Sequence, residues 1–150
     1  MKREFLKMKL FAVALFAMLQ ITACADNDKI IQFEQLPQTA RQFVKTHFSG
    51  KKIALVKMDN DIVWRDYDVV FADGTKVEFD SKGAWTDVEC KQSSVPAAII
   101  PEAIKQYVRK NFPATPIVKI ERDKRGYEIK LGNGTEIEFN KKMQVIDIDF

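Results

Sequence analysis

Few side chains in this sequence have the types and spacing that reaction chemistry needs. His47 is the only histidine, and no second histidine, cysteine or carboxylate stands beside it at ligand spacing. Nucleophilic catalysis needs an activating base, and general acid–base catalysis needs two groups whose pKa values are held apart. The chain has neither arrangement, nor a Gly-rich phosphate loop, nor a Cys/His cluster. A non-enzymatic protein is therefore expected, with no catalytic residue, cofactor or metal assigned. His47 is expected at the solvent edge of a helix C-terminus. Asp59, Asn60 and Asp61 bring together oxygens of the kind calcium prefers, but the sixth-position Gly and closing Glu of the twelve-residue calcium loop are missing, so a solvated turn is expected. Cys90 shares a strand face with Val88 and is expected as a small buried apolar residue rather than a reactive thiol.

The other cysteine, Cys24, lies at the end of a targeting segment. Lys2, Arg3, Lys7 and Lys9 precede the apolar run Leu10 to Leu19, which is short for a membrane span and fits the core of a secretory signal. Two exits overlap on the same residues. Ala23-Cys24-Ala25 suits ordinary cleavage after Ala25, whereas Ile21-Thr22-Ala23-Cys24 resembles a bacterial lipobox that would leave Cys24 lipidated. Both place the protein outside the cytoplasm, in the periplasm or lipid-anchored at the outer membrane or cell surface. Without residues 1–25 the chain keeps 20 basic and 20 acidic residues, so the excess positive charge belongs to the leader. A neutral mature protein without a Lys/Arg stripe gives no reason to expect nucleic acid, and the membrane is expected only through Cys24.

The elements behind these residues are written twice. Tyr67 to Asp80, YDVVFADGTKVEFD, recurs as Tyr127 to Asn140, YEIKLGNGTEIEFN, at an offset of 60. Alternation broken by Asp-Gly or Asn-Gly predicts a hairpin with a two-residue type I′ turn. Upstream, Leu36, Pro37, Ala40, Phe43, Val44 and Phe48 answer Ile100, Pro101, Ile104, Tyr107, Val108 and Phe112 at an offset of 64, so copy one holds four more residues near Asn60 to Arg65. The spacing predicts helices opened by Pro37 and Pro101, each followed by four antiparallel strands. The expected organisation is a leader over 1–25, a polar lead-in over 26–34, and α-β4 units over 35–92 and 93–150. The fold class is α+β: one curved eight-stranded sheet with both helices on one face and its other face open.

Period-two alternation assigns the faces. Tyr67, Val69, Phe71, Val77 and Phe79 and their partners Tyr127, Ile129, Leu131, Ile137 and Phe139 should face the helices, as should Thr86, Val88 and Cys90, and Ile146, Ile148 and Phe150. Outward positions are Leu55, Asp68, Val70, Lys76, Glu78, Trp85 and Asp87 in copy one, and Lys119, Glu128, Lys130, Glu136, Glu138, Val145 and Asp147 in copy two. Leu55, Val70 and Trp85, with Trp64 from the extra segment, have the make-up of a partner-binding patch; Glu78, Lys119, Lys130 and Glu138 would form its polar rim. The plainer alternative is that scattered apolar residues on an open sheet are ordinary, or are covered by the lead-in.

The twin Leu36-Pro37 and Ile100-Pro101 helices, with Asp73-Gly74-Thr75 to Glu78-Phe79-Asp80 and Asn133-Gly134-Thr135 to Glu138-Phe139-Asn140, make residues 35–150 resemble the PepSY-like family of bacterial exported proteins. That family resembles beta-lactamase-inhibitor proteins in fold and brings no catalytic motif. The resemblance implies a non-enzymatic binding or inhibitory module for an envelope protein or peptide; it does not imply inhibition of a beta-lactamase. A monomer is expected. A carrier of small ligands or peptides is the alternative, with Glu78, Glu138, Lys119 and Lys130 as polar contacts.

Overall fold

The computed structural model describes residues 28–60 and 65–150; the leader, Cys24 and Trp64 lie outside them. After the two-residue strand β1 (Lys29–Ile30) and a short 3-10 turn, the order is α1 (Gln38–His47), β2 (Ile53–Asn60), β3 (Arg65–Phe71), β4 (Lys76–Phe79) and β5 (Trp85–Glu89). Then come α2 (Glu102–Asn111), β6 (Ile117–Arg122), β7 (Gly126–Leu131), β8 (Glu136–Asn140) and β9 (Val145–Asp149). Pro37 and Pro101 are the N-caps, where a missing N–H leaves no helical bond unmade. All strands form one antiparallel sheet in sequence order, β1 to β9. The sheet therefore has nine strands rather than the expected eight, because part of the polar lead-in pairs with β2 through Lys29 and Met58. The two halves are joined by the β5–β6 pairing, in which Val88 faces Ile120.

Register explains the core. Val56, Val69, Val77, Val88, Ile120, Ile129, Ile137 and Ile148 form one row, each opposite the next across β2 to β9. Every member is β-branched, which suits a pleated surface, and all but Ile148 are buried. Ala40 and Val44 of α1 and Ile104 and Val108 of α2 are buried in the same cluster. The ring of Phe43 meets Phe79 edge-on at 5.7 Å, and Tyr107 meets Phe139 edge-on at 5.5 Å. Each fully buried Val, Ile or Phe stabilises by about 1.5–3 kcal/mol, so this face supplies most of the driving force for folding.

The hairpin turns differ from expectation. Gly74 N–H donates to the Phe71 carbonyl (2.9 Å) and Phe71 N–H to the Thr75 carbonyl (2.8 Å), with Gly74 at φ +81. This is a three-residue loop, a type I turn closed by a left-handed glycine, not a two-residue type I′ turn. Leu131, Gly134 and Thr135 repeat it. The reason lies in the side chain: Asp73 Oδ1 accepts from Thr75 N–H at 2.9 Å and Asn133 Oδ1 from Thr135 N–H at 3.1 Å, which holds both residues at negative φ.

Bulges overturn part of the face assignment. Glu78 faces Asp87 but the next residue, Phe79, faces Trp85, so Thr86 is an extra residue; in the second half Ile146 is extra in the same way. A single extra residue flips everything beyond it. Trp85 and Val145, expected outward, thus turn to the helix-bearing side and pack on the core. Ile146, expected inward, is 57% exposed, and Phe150, beyond the end of β9, is 90% exposed. Val88 and Cys90 are buried as expected.

Candidate functional site: the open face of the sheet

Alternation that buries one row exposes the next, and here that next row is acidic. Asp68, Glu78, Asp87, Glu121, Glu128, Glu138 and Asp147 stand opposite one another on seven successive strands, β3 to β9, with Lys57 of β2 at the end of the row. Like charges directly opposite cost roughly 0.2–1 kcal/mol per pair, so the sequence places the row against the preference of the sheet.

The neighbouring row carries the compensating lysines. Lys76 reaches Asp68 at 2.9 Å and Glu78 at 2.6 Å. Lys119 reaches Asp87 at 2.9 Å and Glu121 at 3.3 Å, and Lys130 pairs with Glu136 at 2.7 Å. Among the described residues Glu128, Glu138 and Asp147 form no ion pair, so the uncompensated charge lies on β7 to β9. Burial pushes Asp87, 8% exposed, up to about 6; Lys119 opposes the shift, and Glu78 and Glu121 add to it. Glu128 is raised by burial and then by Glu121, Glu136 and Glu138, and Asp66, further along β3, by burial and then by Asp59 and Asp80. Burial lowers Lys76, but hydrogen bonds to Glu78 and Asp68 outweigh it and hold the ammonium near 12. Among the described residues no three His, Cys, Asp or Glu side chains are gathered as metal ligands.

The structure brings together some of the residues singled out from the sequence. Leu55 and Val70 are opposite one another and half-buried on this face. Glu78 and Glu138 belong to the acidic row, and Lys119 and Lys130 face each other in the row beside it. Trp85 is not among them. Its ring lies between Phe43 of α1, stacked at 6.1 Å, and the Arg122 guanidinium, 4.1 Å from the ring centroid. His47 ends α1 with its ring 4.7 Å from Phe43. Glu121 was not singled out at all, because the sequence does not fix how β5 pairs with β6. The Asp68–Glu78 and Glu128–Glu138 pairs could have been found, since each lies within one hairpin whose turn sets the register.

The described pattern of the family "beta-lactamase-inhibitor-like, PepSY-like" matches residues 65–147. No curated protein matches the chain. Among solved structures, a protein of Bacteroides vulgatus ATCC 8482 described as periplasmic is 56% identical with a TM-score of 0.81, covering 84% of this chain and 99% of its own. A protein of Bacteroides thetaiotaomicron described as periplasmic and calcium-regulated is 55% identical with a TM-score of 0.82, again over 84% of this chain and 99% of its own. A second Bacteroides vulgatus periplasmic protein, of unknown function, is 38% identical with a TM-score of 0.77 over 82% of this chain and 99% of its own. Together they place this protein in the periplasm, and the chain belongs to the beta-lactamase-inhibitor-like, PepSY-like family.

Proposed function

We propose that the protein is a periplasmic binding module whose open sheet face receives a basic segment of an envelope protein or peptide. The observation that carries this reading is the row of seven carboxylates, left uncompensated at Glu128, Glu138 and Asp147. A fold that tolerates facing like charges gives up stability that a cationic partner restores on binding. Leu55 and Val70 add a small apolar contact at the far end of the face, with Glu78, Lys119, Lys130 and Glu138 around the charged centre. Trp64 would contribute only if the β2–β3 connection reaches the partner. Phe43 against Phe79 and Tyr107 against Phe139, both on buried rows, support taking the two helices as covers for one side only, which leaves the other side for the partner. The repeated α-β4 units, removal of a leader near Cys24 or its lipidation, and monomeric behaviour complete the reading.

The calcium-regulated description of the Bacteroides thetaiotaomicron relative favours a second role for the same row. These carboxylates stand one to a strand and do not converge, so they do not fit a calcium cage. Calcium would instead neutralise the row and compete with the basic partner.

Crosslinked capture from envelope extract, comparing the wild type with Glu128→Lys/Glu138→Lys, tests the proposal. A stoichiometric protein that is caught by the wild type and lost with the variant supports it. Equal capture by both rejects the acidic row, and a co-purifying small molecule without a protein partner would favour the carrier alternative.

A further inference from the structure

A groove of about 540 Å³ opens where the β4–β5, β6–β7 and β8–β9 turns meet, lined by Trp85, Arg122, Lys124, Tyr127, Lys141 and Met143. It belongs to a different side of the sheet from the acidic row. Arg122 is opposite Tyr127, which is opposite Phe139, and Phe139 is buried in the core. Its charge is also of the other sign. Among the described residues Arg122, Lys124 and Lys141 form no ion pair. Of the two carboxylates of the lining, Asp123 is neutralised by Arg125 at 2.8 Å, whereas Asp80, whose Oδ1 accepts from the Lys82 and Ala84 N–H groups at 2.9 Å each, keeps its charge, so among the described residues three cations stand against one unpaired carboxylate.

Arg122 is held in place before any ligand arrives. Its Nε donates to the Trp85 carbonyl at 2.7 Å, and its guanidinium lies 4.1 Å from the centroid of the Trp85 ring, which also stacks with Phe43 at 6.1 Å. A guanidinium fixed by Nε and by stacking keeps its two terminal nitrogens for a carboxylate, and little rotamer freedom remains to be lost on binding. The internal repeat serves as a control. Arg122, Lys124 and Lys141 stand where the other copy has Met58, Asn60 and Ser81, and Trp85 where it has Val145, whereas the buried rows keep their character in both copies. The cations are therefore specific to this groove.

The geometry points to a second binding site here, for an extended acidic peptide segment with one carboxylate on the Arg122 fork and others against Lys124 and Lys141. Three cations spread over two stretches, Arg122 with Lys124 on one and Lys141 on the other, suit carboxylates spaced along a chain better than one compact anion. The site is independent of the open face.

The test is a titration of the mature protein with an acetylated, amidated (Glu-Ala)3 peptide and its (Gln-Ala)3 counterpart, followed by tryptophan fluorescence and calorimetry. The glutamate peptide should bind and the glutamine peptide should not. Arg122→Gln should weaken binding by about tenfold or more, as expected when a charge-assisted pair is lost. Lys124→Gln/Lys141→Gln, at exposed positions where folding is not at stake, should weaken it by about tenfold, while Glu128→Gln/Glu138→Gln should leave it unchanged. Equal binding of both peptides, no binding of the glutamate peptide, or indifference to the lysine variant overturns the proposal. So does acetate saturating the site at the peptide's own concentration, because the site would then take a lone carboxylate.

Discussion

Replacing Asp87 by asparagine should make the protein more stable at neutral pH although it removes the 2.9 Å ion pair with Lys119. Asp87 is 8% exposed, and burial lifts its carboxyl from the usual 3.8 to about 6. Between those two values the folded protein holds a proton that the unfolded chain has released, so this group's contribution falls as pH rises through the window and the loss is complete above about 6. At 1.36 kcal/mol for each pKa unit, the span corresponds to about 3 kcal/mol. At pH 4 the protonated aspartate is close to isosteric and isoelectronic with asparagine, so wild type and Asp87→Asn should be nearly equal. At pH 7 the variant should gain up to about 3 kcal/mol on the wild type, with Lys119 still paired to Glu121. Urea unfolding of both proteins at half-unit steps from pH 4 to 7.5 reads the difference directly. If Asp87→Asn is instead destabilised at pH 7 and equal at pH 4, attraction to Lys119 outweighs burial and the reasoning fails.

Three further outcomes follow from the packing and the register. Trp85→Ala should lower unfolding stability by about 2 kcal/mol, because the ring packs between Phe43 and Arg122 rather than on the open face; an unchanged urea midpoint would return Trp85 to the surface. Met143 holds φ +60 where the first half has Gly83 at φ +80, so Met143→Gly should be more stable than Met143→Ala by about 1 kcal/mol, the reverse of the usual order, as read by thermal unfolding. Glu128→Gln removes repulsion with Glu121 on one side and Glu138 on the other and should raise stability by up to about 1 kcal/mol while weakening partner capture, which calorimetry and crosslinking would separate.

Much of the fold was legible because each helix and hairpin occurs twice, and its alternation leaves one set of faces to bury. Val69, Val77, Ile129 and Ile137 are buried on that account. What failed was local. One extra residue at Thr86 and another at Ile146 reverse the strand beyond them, and no turn residue or break in composition marks a bulge. That is why Trp85 and Val145 were expected on the wrong side. The turns depart from type I′ for a related reason: Asp73 and Asn133 close their loops with a side-chain oxygen, which the Asp-Gly and Asn-Gly pairs alone do not reveal. At the candidate site the outward acids other than Glu121 were legible one strand at a time. Their joining into a single row depends on Asp87 facing Glu121, a pairing between strands separated by a whole helix.

Under the proposed function the acidic row, and not a helix or the sheet edge, meets a basic partner. An amide chemical-shift titration of the 15N-labelled mature protein with an acetylated, amidated (Lys-Val)3 peptide tests it most directly. Salt-sensitive shifts that collect at Glu121, Glu128, Glu138 and Asp147 are predicted. Shifts confined to α1 and α2, or none at peptide concentrations that saturate other acidic surfaces, would contradict it.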